Sequence, residues 1–143
     1  MVGILIVTHG RLAEGFMDSA EMIMGKQEQL ASIGLFPDTD LENFGELVNT
    51  GIKQVDTGDG TLVFVDMFGA SPCNFVASNI ADYLAQGKKI RVVTGVNLSM
   101  LIESLSMRTF VENLDELYQK TLTTGKEGIR ELLDSLSNQD DDD

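Results

Sequence analysis

Ile4-Leu5-Ile6-Val7 is an uninterrupted apolar run that stops at Thr8-His9-Gly10, and Thr61-Leu62-Val63-Phe64-Val65 is a second that stops at Asp66. Strands covered on both faces read as continuous hydrophobic runs, so both belong inside a parallel sheet. The first is expected over about Val2 to Thr8. Between them the pattern takes a helical period: Leu12, Phe16, Ala20, Ile23 and Met24 fall on one face, with Gly25 as C-cap. Leu30 to Leu35, ahead of Pro37, reads as another strand. Thr39-Asp40-Leu41-Glu42 has the spacing of a capping box, and Leu41, Phe44, Val48 and Ile52 carry a second helix to about Val55. The turn cluster Asp56-Thr57-Gly58-Asp59-Gly60 leads into the second buried run.

Beyond Asp66, Ser71-Pro72 reads as an N-cap followed by proline at the first helical position, and Phe75, Val76, Ile80 and Leu84 continue that helix. Lys89 to Thr94 predicts a fourth strand, and Met100, Leu101 and Leu105 a further helix. Asn113 to about Ser137 is helical with a break near Gly125 and Gly128. Strands alternating with helices predict an α/β fold: a doubly wound, mainly parallel open sheet with helices on both faces. If the first and third strands are neighbours, the order is the flavodoxin-like 2-1-3-4. Met17, Met22, Met24, Met100 and Met107 lie on amphipathic helices and are expected to fill the core.

Composition narrows the function. The chain has 143 residues, 43% of them hydrophobic, enough for one domain, expected over residues 1–137, with an acidic tail at 138–143 that is expected to be disordered. A net charge of -13, with no basic patch, argues against nucleic acid as a partner. The opening MVGILIV run is too short to span a bilayer and lacks a basic leader, so no membrane insertion is expected. One cysteine, Cys73, allows no internal disulfide and reads as a small packed residue beside Phe75; a reduced cytoplasm is the expected compartment. One histidine and one cysteine cannot close a zinc site, and no glycine-rich nucleotide loop with its lysine is present, so neither metal nor cofactor is expected.

The candidate chemistry lies at the strand ends. In an open α/β sheet ligands bind at the carboxyl ends of the strands, at the switch point between the first and third strands of this order. His9 and Asp66 then face each other. A neutral imidazole is a competent nucleophile, and a carboxylate that accepts the proton of one ring nitrogen leaves the other free to attack. The N–H groups at the start of the third helix, around Ser71 to Asn74, are suited to holding an anion such as a phosphoryl group. Thr8, Gly10 and Ser71 complete the expected phosphate-binding set around catalytic His9 and Asp66.

Three stretches carry a resemblance that extends over nearly the whole chain: Gly3 to Gly10, Val65-Asp-Met-Phe-Gly-Ala-Ser-Pro72 and Thr94-Gly-Val-Asn-Leu-Ser-Met-Leu101. They resemble, in the same order, the signature stretches of the mannose-family enzyme IIA domain of the bacterial sugar phosphotransferase system. The resemblance implies that His9 accepts a phosphoryl group from the phosphocarrier protein HPr and passes it to a IIB component. It implies that Asp66 orients His9, that the Ser71 region contacts phosphate, and that the chain forms a homodimer with an exchanged edge strand. Met67, Phe68 and Ala70 stand where the family often has Thr-Trp-Gly. Three other readings stay open: a receiver-like regulator phosphorylated on Asp66, a non-catalytic acidic dimer with a structural His9, and a phosphoryl-donor subunit for dihydroxyacetone kinase. The first needs acidic metal ligands after strand one, where Thr8-His9-Gly10 stands instead. The sugar, a hexose or hexose acid such as mannose, fructose or gluconate, is not written in this chain.

Overall fold

The computed structural model describes residues 1–141. Its elements run β1 (Gly3–His9), α1 (Leu12–Met24), β2 (Leu30–Leu35), α2 (Leu41–Val55), β3 (Thr61–Val65), α3 (Ser71–Ala85), β4 (Ile90–Val93), α4 (Leu98–Met107), α5 (Leu114–Glu127) and α6 (Leu132–Asp141). The four strands are parallel in the order β2-β1-β3-β4. The chain is therefore an α/β protein with a parallel 2-1-3-4 sheet, the order that follows when the first and third strands are neighbours.

The two apolar runs are continuous because successive residues feed two different cores. Ile4, Ile6, Leu62 and Phe64 pack on one face against Ala13 and Ala20 of α1, Leu101 and Leu105 of α4 and Leu117 of α5. Leu5, Val7, Val63 and Val65 pack on the other against Phe44, Val48 and Ile52 of α2 and Val76 and Tyr83 of α3. Each fully buried side chain of this size contributes about 1.5–3 kcal/mol over its exposed state. The pairing runs from Gly3↔Thr61 to Val7↔Val65, so His9 and Asp66 emerge together, each just past the last pair. Among the described residues no helix is long and apolar enough to cross a membrane.

Several local expectations shift. The buried stripe of α1 is Ala13 and Ala20 flanked by the half-buried Phe16, Met17 and Met24, while Leu12 and Ile23 are exposed. The face turned to the sheet is thus centred one position along from the expected stripe at Leu12. Met22 is 91% exposed and fills no core. Leu41 is likewise exposed at the start of α2. There the N-cap is Asp40, whose Oδ1 accepts from the Glu42 N–H at 3.1 Å, while Thr39 Oγ1 accepts from Phe36 N–H. The N-cap of α3 is Ala70, so Ser71 is already helical and Pro72 follows it. β4 is shorter than expected by one residue at each end. The break after Gly125 and Gly128 falls between α5 and α6, and α6 runs to Asp141, past the helix end expected near Ser137 and into the stretch expected as a disordered tail; residues 142 and 143 lie outside the described residues.

Arg108, at the end of α4, is 4% exposed. Its Nη1 donates to the carbonyls of Val2 at 3.2 Å and Gln29 at 3.1 Å, and Nη2 donates to that of Glu28. Burial pushes its pKa below the usual arginine value, against the opposing pull of Glu28. The guanidinium thus ties α4 to the entry points of β1 and β2, at the end of the sheet opposite His9. Arg108→Met keeps the chain length but leaves those carbonyls short of donors, and is expected to lower unfolding free energy by about 2–4 kcal/mol in denaturant titration. A loss under about 0.5 kcal/mol, the range of neutral surface changes, would show that the arginine is not a structural tie.

Candidate functional site

β1 delivers His9 to the rim of the sheet with its side chain 49% exposed, and β3 delivers Asp66 beside it with a side chain only 9% exposed. Asp66 Oδ2 lies 2.7 Å from His9 Nδ1 and also accepts the His9 backbone N–H at 2.9 Å. The other oxygen, Oδ1, accepts the Met67 N–H at 2.9 Å. A carboxylate at Nδ1 holds the ring proton there and leaves the lone pair on Nε2. Partial burial pushes the Asp66 pKa up, but the hydrogen bonds from the His9 backbone and ring, the ring's charge and the Met67 N–H together hold it below the usual carboxylate value.

That depression carries a pH signature. A group whose folded pKa is lowered stabilises the fold above its unfolded pKa, and that contribution disappears as pH falls through the folded one. The stability gap between wild type and Asp66→Asn is therefore expected to be widest at neutral pH and to close below about 3.8, the ordinary aspartate value from which it is lowered. Thermal melts of both proteins from pH 7 to pH 2.5 test this. A gap independent of pH would mean that the charge of Asp66 is not what the fold uses.

The turn that carries the ring is built from its neighbours. Gly10 takes φ +55° and donates its N–H to the Leu35 carbonyl at 2.7 Å. A side chain at Gly34 on β2 would meet the Gly10 carbonyl at 2.2 Å, so only glycine lets β2 pass this close beneath the turn. Thr8 is fully buried; its Oγ1 accepts from the Ala13 N–H at 2.8 Å and donates to the His9 carbonyl at 3.2 Å. Its hydroxyl therefore caps α1 and supports the His9 peptide from below. Gly10 likewise spends its N–H inside the protein.

Ser71 stands exposed on the first turn of α3, whose amino end carries no side-chain cap. Cys73, on the same turn, packs partly buried against the α2–α3 core, as a small apolar residue does. The β4–α4 loop is tied to the end of β3 by the Val96 N–H donating to the Val65 carbonyl at 3.2 Å. Among the described residues no group of three or more His, Cys, Asp or Glu side chains is placed to hold a metal ion. Pattern reading did not find the double use of one Asp66 oxygen or the burial of Thr8. The signal for Thr8 was present, a single hydroxyl inside a run of buried positions immediately before a helix.

Residues 3–122 match the family model described as "PTS system fructose IIA component". The chain belongs to this family. The mannose-specific EIIAB component of the same system from Escherichia coli is 35% identical over 131 residues, 92% of this chain and 39% of that protein, so the chain spans about two fifths of that relative's length. Among solved structures, the phosphotransferase system component EIIA of Streptococcus agalactiae superimposes with a TM-score of 0.84 at 32% identity, covering 92% of this chain and 98% of the other. The mannose/sorbose-specific IIA subunit of Enterococcus faecalis does so with a TM-score of 0.78 at 28% identity, covering 91% and 93%.

Proposed function

We propose that this IIA protein takes a phosphoryl group from phosphorylated HPr onto His9 Nε2 and hands it to a IIB component for sugar uptake, in the cytoplasm. The observation that carries the reading is the 2.7 Å contact between Nδ1 and Asp66 at an exposed strand end, which leaves Nε2 open to a partner protein. In the first transfer the Nε2 lone pair forms the new N–P bond while the N–P bond of the donor breaks and the donor imidazole recovers its electron pair. The second transfer runs the same exchange toward IIB. The Nδ1 proton stays against Asp66, whose negative charge offsets the positive character of the phosphorylated ring. The uncapped N–H groups and hydroxyl at Ser71 are suited to the phosphoryl oxygens.

A receiver-like phosphorylation of Asp66 fits poorly, because both carboxylate oxygens are already occupied by His9 and Met67. Donation to dihydroxyacetone kinase would use the same chemistry at His9 with another acceptor. Incubation with phosphoenolpyruvate, enzyme I and HPr is expected to give a label that survives base, is lost in acid, and maps to the peptide of His9. A base-labile label, or one elsewhere, would end the reading.

The assembly we propose is a homodimer. Among the described residues the outer edge of β4 is unpaired, and a groove of about 830 Å³ runs beside it, lined by Leu84, Ile90, Val92, Leu114, Tyr118 and Leu122. Ile129, Leu132, Leu133 and Leu136 stand exposed after α5. A second copy that lends this segment, extended as a strand in place of the α6 helix, would cover both surfaces and pair the open edge. Sedimentation at micromolar concentration is expected to return a dimer; a monomer contradicts the exchange.

A further inference from the structure

We propose that Arg11 grips the transferred phosphoryl group on His9, which makes it a catalytic residue of the reaction proposed above. The inference rests on that reading of His9. Arg11 follows His9 by two residues, across the Gly10 turn, so their Cα atoms lie within roughly 7 Å and an extended arginine spans that distance. It is exposed, and among the described residues its guanidinium makes no ion pair or hydrogen bond.

Charge around the site makes the position unusual. Four segments surround the carboxyl ends of the strands: residues 10–11, 36–40, 66–70 and 94–97. They hold three acids, Asp38, Asp40 and Asp66, and a single base, Arg11. A phosphoryl group brings about two negative charges to a place where Asp66 is already ionised. Without a cation that arrangement repels itself, and a guanidinium matches phosphoryl oxygens two at a time.

Local structure gives no other reason for the residue. Arg11 is the N-cap of α1, yet it makes no side-chain cap and sets a positive charge against the positive end of the helix dipole. Thr8 performs the capping from within the core instead, by accepting the Ala13 N–H. An arginine that opposes the helix it begins, beside a nucleophile in an otherwise acidic rim, is placed for an incoming anion.

Single-turnover transfer from phosphorylated HPr, measured for wild type, Arg11→Gln and Arg11→Lys, tests this. The glutamine variant is expected to lower the maximal rate by at least about tenfold, with the HPr concentration at half-maximal rate little changed, and lysine is expected to restore part of the loss. The phosphorus-31 resonance of phosphorylated Arg11→Gln is expected to move from that of wild type, while its thermal stability is equal or slightly higher. A glutamine variant equal to wild type in rate and resonance overturns the role of Arg11. So does an effect confined to the HPr concentration, which would make Arg11 a docking contact. A wild type that takes no label on His9 instead overturns the phosphocarrier reading itself.

Discussion

His9→Gln is expected to reduce phosphoryl acceptance from HPr to background while leaving the fold in place. The ring is half exposed and packs little apolar surface, and its loss does not strip Asp66 of partners, because the carboxylate keeps the backbone N–H groups of residue 9 and Met67. The stability change should therefore be about 1 kcal/mol or less, that of one exchanged hydrogen bond. Glutamine reaches toward Asp66 but has no lone pair able to take and release a phosphoryl group. Phosphorylation assays beside a denaturant titration check both halves. Label retained in a folded His9→Gln would place the nucleophile elsewhere.

Asp66→Asn is expected to slow transfer roughly a thousandfold or more with docking of HPr unchanged. Oδ2 serves two donors at once, the His9 N–H at 2.9 Å and Nδ1 at 2.7 Å. An amide oxygen in its place keeps both contacts but offers no charge against the ring as it becomes positive. An amide nitrogen there reverses the ring tautomer and puts the proton on the attacking atom. The first loses the charge that stabilises the transferring ring and the second the reactive tautomer, so either slows transfer. Rapid-quench measurement of the single-turnover rate decides it, and a rate within a few-fold of wild type would mean that Asp66 does not govern His9.

The sheet was legible because β1 and β3 are covered on both faces, so Ile4–Val7 and Leu62–Val65 are unbroken apolar runs, each followed within two residues by the polar side chain that reaches the rim. That same break marked His9 and Asp66. Helix phase was harder to read: the α1 stripe centres on Ala13 and Ala20, whose small size signals close approach to the sheet more than hydrophobicity. The caps of α2 and α3 each fall one residue from the expected position, at Asp40 and Ala70, within the one or two residues by which helix ends are defined. Arg108 was invisible to pattern, since its partners are main-chain carbonyls about 80 and 106 residues away along the chain. Thr8 was expected among the phosphate-binding groups at the end of the first strand; its burial depends on α1 folding back over that strand end, where the Ala13 N–H meets its hydroxyl.

The shared oxygen of Asp66 also gives the protein a spectroscopic handle. The amide proton and the ring proton of His9 compete for the same lone-pair density, 2.9 Å and 2.7 Å away. When Nε2 is modified, the ring draws harder on that oxygen and the amide must yield. The nitrogen–proton cross-peak of residue 9 is therefore expected at two positions, one for each form, and their relative intensities in an ordinary backbone spectrum of a mixture will read the charging state directly.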